Sequence, residues 1–471
     1  MRQRWGQATR VAKLRDESTG WATTSTVLLP AVVSMTMTLE STLKSTIAVM
    51  LMIASVACSP NETRTSTNEA PPLSSLPGNF ATDVQRVEIE ALQALGYVAG
   101  NVPAPSASGV TRYDKARTFD GYNLYTSEHA PRVFLLDMNG KLLHMWEVSL
   151  PQIDDAILLR RVTLFPNGEL LILIERHGLV RLGQDSRVLW YRPCDCHHDF
   201  AIAEDESIYV LTRKTAIYPA YNPDKPIRND AIAVYTSGGE FIREVSMLAA
   251  FEASPCCKGY IRPGMHGDVF HSNTLEILDG RLADRNPSFR AGNILTSWRT
   301  LNAIGVVDMQ SEAVVWSTWG YFNAQHDPTI LDSGNLLIFD NHDKHKSTQA
   351  SRIIEANPFS GKILWTFEST AEFPFSSRTG GANVRLANGN TFITETRGGR
   401  AFEVAPDGSV VWIYLNPARV VDDEKMIARV FEMQRLPPDT PMGWLPKRSY
   451  PADAQTKGFR RRRPIADGFV K

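Results

Sequence analysis

From about residue 120 the apolar positions alternate in short runs, and each run stops at a turn signal. The unit is clearest in QHDPTILDSGNLLIF followed by SRIIEANPFSGKILWTFE, and in RRVTLFPNGELLILI followed by RVLWYRP. Each pair reads as strand, turn, strand, then a second hairpin. Period-two alternation predicts half-buried strands, and the Asn-Gly, Ser-Gly and Asp-Gly pairs between them accept the positive φ of tight hairpin turns. Further units are HHDFAIAEDESIYVLTR with AIAVYTSGGEFIREV, FHSNTLEIL with GNILTSWRTLNAIGVVDMQSEAVVWSTWG, and GGANVRLANGNTFITET with RAFEVAPDGSVVWIYLNP; the opening one is DGYNLYTSEHAPRVFLLDMNGKLLHMWEV. Trp146, Trp190, Trp316, Trp365 and Trp412 recur in the last strand, where the third unit has Val245. Four strands in a repeat of about 40 to 50 residues form a β-propeller blade. The chain is therefore expected to be all-β, a six-bladed propeller over 119–418 with short helical extensions at both ends.

The flanks follow other patterns. DVQRVEIEALQAL (83–95) has apolar residues at helical spacing and predicts a short amphipathic helix. In 419–471, DDEKMIARVFEMQRL predicts a second helix, and the four arginines at 460–463 read as a solvated tail. Upstream, LKSTIAVMLMIASVAC joins a lysine to an apolar run of a dozen residues that ends in small residues before Cys58. Such a run is too short to span a bilayer of about 30 Å and reads as a signal peptide. Its end resembles the bacterial lipobox, which implies cleavage before Cys58, lipidation of that thiol and anchoring in the cell envelope, at the outer membrane. The expected organisation is a non-native upstream extension (1–34), the signal peptide (35–57), a lipidated tether with a short helix (58–118), the propeller, and the tail.

Composition narrows the partners. Lys plus Arg number 50 against 51 Asp plus Glu, a balance that provides no field for nucleic acid. Cys194, Cys196, Cys256 and Cys257 suit an oxidising compartment, and a bridge between the two clusters is expected with its connectivity open. A zinc site at Cys194, Cys196, His197 and His198 is too crowded for the usual ligand spacing. A metal-dependent hydrolase using His342, Asp343 and His345 is a rival, although DNHDKHK reads first as a polar loop.

Aligning the units at their turns places Arg160, His198, His271 and His326 at the start of the innermost strand of successive blades, with Gly381 at that place in the sixth. These starts share one rim of the central channel. The second strand runs back to the same rim, where it brings Arg213, Arg299 and Arg397. Imidazoles and guanidinium groups converging on one opening suit a small sulfated or phosphorylated anion. The long insert LDGRLADRNPSFRAGN belongs at the opposite rim.

DGYNLYTS, HHD, HSN followed by an arginine, and QHD together resemble the arylsulfate sulfotransferase family over about 109–435. That resemblance implies transfer of a sulfuryl group between phenols through a transiently sulfurylated histidine, with no nucleotide donor. The nucleophile falls on His326, with His198 (or its neighbour His197), His271 and Arg299 as its supports; Arg160, Arg213 and Arg397 join His197 in substrate binding. Neither cofactor nor metal is expected, and the partners are aromatic sulfate esters, phenols and, through Cys58, a membrane. The sequence has no GxxxxGK[ST] loop, in keeping with a non-nucleotide donor. Members of that family carry an N-terminal β-rich dimerisation domain, whereas only a tether and a helix are expected here before the propeller, so oligomeric state is not carried over. A non-catalytic propeller that binds a ligand or partner is the alternative.

Overall fold

Period-two patterning does fold as six antiparallel blades around one channel. The structure, a computed structural model, describes residues 82–94, 100–153, 157–341, 350–451 and 453–458. Cys58, the leader, the arginines at 460–463, and His342, Asp343 and His345 lie outside them.

Blade 2 comprises Leu159–Leu164, Leu170–Ile174, Gly178–Leu182 and Val188–Pro193, from the channel outwards. Blade 3 (Cys196–Ile202, Ile208–Tyr218, Asn222–Tyr235, Phe241–Ser246), blade 4 (Ser272–Ile277, Ile294–Trp298, Ala303–Asp308, Ala313–Trp319) and blade 5 (His326–Ile330, Leu336–Asp340, Arg352–Ala356, Ile363–Glu368) repeat that order. Blade 6 is Ala382–Arg385, Thr391–Glu395, Arg400–Val404 and Val410–Leu415, and Gly109–Tyr113 adds a fifth, outermost strand.

Blade 1 departs from expectation. Its three local strands, Tyr122–Ser127, Arg132–Leu136 and Leu142–Glu147, lack an inner partner, and Val430–Leu436 supplies it. The expected C-terminal helix is therefore a correction: Asp423–Ile427 and Val430–Leu436 are strands. The segment's apolar residues fit either period, and the unpaired edge of blade 1 decides in favour of strand. Arg435 seals the join, donating to Asn123 of blade 1 at 2.8 Å and to Glu403 of blade 6 at 2.7 Å, with both ion-pair side chains fully buried. The ring thus extends past 418 and also takes in 109–113.

The recurring aromatics join neighbouring blades. Trp146 Nε1 donates to the Gly168 carbonyl of blade 2, Trp365 to Pro406 of blade 6, and Trp412 to Met138 of blade 1. The insert of blade 4 lies at the rim away from the histidines, where Phe289 packs edge-on against Trp316 and Phe359. The expected N-terminal helix forms at Asp83–Ala94 and rests on the long hairpin of blade 3, with Gln85 donating to the Pro223 carbonyl. Among the described residues no helix is long and apolar enough to cross a membrane.

The expected bridge between the cysteine clusters is not formed. Cys196 belongs to the apolar core shared by blades 2 and 3, and Cys257 to that shared by blades 3 and 4.

Candidate active site

The inner strands of blades 3, 4 and 5 do not begin as regular strands. In each, pairing with the second strand shifts register next to the histidine. His198 (φ 57°) and His271 (φ 52°) sit in the left-handed region, and in blade 5 Ala324 (φ 52°) and Asp327 (φ 49°) take that conformation on either side of His326. Bulges of this kind re-aim side chains, and non-glycine residues held at positive φ mark places where surrounding contacts over-determine the backbone. Those contacts run from blade to blade. Asp199 accepts from the Leu275 amide at 2.9 Å, Thr274 Oγ1 from the Asp327 amide at 3.0 Å, and Asp327 from the Asn383 amide at 2.6 Å.

The result is a cavity at the expected rim, lined by Arg160, His198 and His326 together with Asn273, Gly380 and Phe431. His198 lies 5.2 Å from His271 and 6.4 Å from His326, ring centre to ring centre. The Arg299 amide donates to the His271 carbonyl at 3.2 Å and the Arg299 charge acts on His326, but neither Arg299 nor His271 is among the residues that line the cavity. Gly381 also lines the cavity, and a Cβ there would stand 2.6 Å from the Phe339 ring.

Hydrogen bonds set the tautomers. His326 Nδ1 faces two acceptors, Asn341 Oδ1 at 2.7 Å and the Ala324 carbonyl at 3.1 Å, so Nδ1 carries the proton and Nε2 the lone pair. The Gly380 amide points at that lone pair from 3.3 Å. Burial, reinforced by the Arg299 charge, pushes His326 down to about 3. Burial also holds His198 well below its ordinary value and lowers His271, whose Nδ1 bonds Asp268 at 2.7 Å. These imidazoles are neutral at pH 7, so positive charge in the cavity lining comes from Arg160 and Arg161, and the carboxyl groups of Asp199, Asp327 and Glu432 share that lining.

The remaining expected residues take different places. Arg160 lines the cavity, braced by Glu175 at 2.9 Å and lying over the Phe431 ring. His197 is fully buried behind His198, with Nδ1 2.9 Å from that ring's Nδ1 and Nε2 3.3 Å from the Thr212 carbonyl. Arg213 is turned to Asp195 at 3.0 Å and Glu175 at 3.8 Å, and Arg397 donates to the Gly100 carbonyl; neither lines the cavity. His197 and Arg213 brace the rim, and Arg397 holds the N-terminal arm. The crowded cysteine and histidine run does not converge, since Cys196 Sγ is directed at the Ile174 carbonyl. Among the described residues no group of three or more His, Cys, Asp or Glu side chains is placed to hold a metal ion.

Sequence reasoning passed over Asn341, Asp268, Phe431 and Glu432. Asn341 is the second residue of the polar DNHDKHK run and directly follows the second strand of blade 5, in which Phe339 pairs with His326; that placement was the available signal. Phe431 and Glu432, the latter lining the cavity in an ion pair with Arg161, were hidden by the helical reading of their strand. Asp268 precedes blade 4 and has no counterpart in the repeat.

The protein is thus a six-bladed propeller with histidines of three blades and Arg160 at one mouth of its channel. The arylsulfotransferase (ASST) family matches residues 164–416, more than half of the 471-residue chain, and the chain belongs to that family. No curated protein matches it. Similar solved structures include a protein of unknown function from Bacteroides caccae (14% identity, covering 63% of this chain and 93% of that one, TM-score 0.43). Others are a streptogramin B lyase (13%, 71% and 95%, 0.41) and BamB from Moraxella catarrhalis (12%, 70% and 97%, 0.33).

Proposed function

We propose that the protein transfers a sulfuryl group from an aryl sulfate to a second phenol, through a covalent sulfohistidine at His326 and without a nucleotide donor. The observation that carries this reading is the tautomer of His326. With Nδ1–H given to Asn341 and Ala324, Nε2 is a neutral nucleophile at the cavity wall once its lone pair exchanges the long 3.3 Å bond from the Gly380 amide for the sulfur. Its depressed pKa keeps it unprotonated throughout the neutral range.

Arg299 and Arg160 supply fixed positive charge for the oxygens of the transferring group. Charge held in place before reaction needs no reorganisation during it. The sulfuryl group leaves the donor phenol, rests on His326, and passes to the acceptor in a ping-pong sequence. All the proposed groups are protein side chains, so exchange is expected to survive exhaustive chelation.

We also propose that Cys58 is lipidated and tethers the propeller in the cell envelope, on the strength of the small residues and apolar run before it.

The deciding experiment is incubation with an aryl sulfate and no acceptor. One sulfuryl group should map to the peptide containing His326, and phenol should appear in a stoichiometric burst. No label and no burst with any aryl sulfate leaves the protein a binding propeller.

A further inference from the structure

The sulfuryl-transfer reading leaves the proton unassigned, and the inference that follows rests on that reading. Sulfate esters of phenols leave as phenolates, which need a proton as the S–O bond breaks, and the acceptor phenol must give one up. His326 is engaged as nucleophile. Its Nδ1 faces two uncharged acceptors, an arrangement that keeps the ring neutral rather than favouring a second proton. His198 Nδ1 meets another imidazole, that of His197, at 2.9 Å. His271 differs, because its Nδ1 meets a carboxylate, Asp268 Oδ2, at 2.7 Å.

We propose that His271 is the acid–base residue of the transfer and that Asp268 is its positioning residue, holding the Nδ1 proton and balancing the charge when Nε2 is protonated. In the first half-reaction the His326 Nε2 lone pair forms the N–S bond. The S–O bond breaks with its electron pair going to the phenolate oxygen, and that oxygen takes the proton from His271 Nε2. In the second half-reaction the acceptor phenol returns a proton to His271 Nε2 while its oxygen bonds to sulfur. The N–S bond then breaks, and its pair returns to His326. The two halves leave the enzyme unchanged.

The surroundings of His271 are mixed in charge. Asp268 faces it from the preceding loop, Arg299 from its own blade, Arg160 from blade 2, His197 and His198 from blade 3, and His326 from blade 5. Arg228 of the long blade 3 hairpin stands 3.8 Å from Asp268. Burial lowers His271, the Asp268 hydrogen bond and charge raise it, and Arg299 and Arg160 lower it again. An arriving sulfate monoanion offsets the two guanidinium groups, so proton uptake at His271 accompanies donor binding. Burial opposes ionisation of Asp268, but the His271 bond and the His271 and Arg228 charges outweigh it and keep the carboxylate ionised.

The test compares donors whose leaving groups differ in basicity. A weakly basic 4-nitrophenolate departs without help, whereas unsubstituted phenolate needs an acid. With Asp268→Asn, the phenol burst and the His326 label should fall by no more than about threefold with 4-nitrophenyl sulfate and by about 10²-fold with phenyl sulfate, the usual scale for general acid catalysis. Without its carboxylate partner His271 binds its proton less tightly, so the descending alkaline limb of the phenyl sulfate profile should move to lower pH. Asp268→Glu keeps the carboxylate and should restore most of the phenyl sulfate rate. Equal losses with both donors, or an unmoved alkaline limb, overturn the assignment and make Asp268 a packing residue. Absence of any label on the wild-type protein is a different failure: it removes the sulfuryl-transfer reading, and this inference with it.

Discussion

Asn341 Oδ1 lies 2.7 Å from His326 Nδ1, while its amide nitrogen donates to the carbonyls of Ser377 at 2.7 Å and Gly380 at 2.6 Å. The two carbonyls leave the amide one orientation, and that orientation sets the His326 tautomer. One buried side chain thereby ties the nucleophile to the Gly380 turn that lines the cavity. Asn341→Leu should slow labelling of His326 by about 10²-fold, the scale of a misplaced reacting group. It should also destabilise the fold by about 1–3 kcal/mol by taking a buried donor from the Gly380 carbonyl and leaving the Ser377 carbonyl with Ser351 Oγ alone. Single-turnover kinetics and urea denaturation separate the two effects, and labelling at the wild-type rate would deny Asn341 any part in orienting the ring.

A nucleophile and an electrostatic support should fail differently. His326→Asn should lose label, burst and exchange together. Arg299→Ala should still bind aromatic ligand while losing about 10²-fold or more in rate. Ligand titration by fluorescence alongside stopped-flow burst measurements reads both, and a label that persists in His326→Asn moves the nucleophile elsewhere.

Acid should destabilise the ring. Burial pushes His326 and His197 down to about 3, and His129 and His144 down to about 4, whereas each titrates near 6.5 when unfolded. Below 6.5 the unfolded chain therefore binds more protons than the folded one. Their contribution to stability is complete above 6.5 and is lost as pH falls towards 3 to 4, by up to about 1.4 kcal/mol per pH unit for each histidine. Urea midpoints should drop between pH 7.5 and 5, and His144→Gln, outside the cavity, should shallow that slope. A midpoint indifferent to pH would show that these rings protonate freely in the folded state.

Closure by the C-terminal strand makes a sharp prediction about length. A chain stopped after Val421 deprives blade 1 of Val430–Leu436 and strands Glu403 without Arg435. It should fail to give a cooperative unfolding transition, whereas the full chain should give one. Equal melting of the two would refute strand closure.

For the anchor, Cys58→Ser should release the protein from membranes or block its maturation. Fractionation of cells expressing the variant reads this, and unchanged membrane attachment removes the lipidation proposal.

Much of the architecture was legible because propeller order is written locally. Alternation, Gly-containing turns and a repeating last-strand tryptophan each depend on residues a few positions apart, so blade number and the rim where Arg160, His198 and His326 line the cavity followed from the repeat. The same logic misjudged residues whose place depends on distant chain. DDEKMIARVFEMQRL has no local signal that distinguishes a helix from the strand missing in blade 1, three hundred residues earlier. Arg213 and Arg397 hold the predicted register, yet Asp195, Glu175 and the Gly100 carbonyl claim them, since a guanidinium follows the nearest acceptor once chains meet.

By itself, then, the sequence determined the repeating unit, the ring and which residue types reach one rim, because these arise from backbone period and turn chemistry. Tertiary structure alone decided which nitrogen of each histidine holds a proton, which arginines stay at the cavity, and how the ring closes. Those outcomes depend on Asn341, Asp268, Glu175 and Arg435, partners brought within hydrogen-bond reach by folding and not by their spacing along the chain.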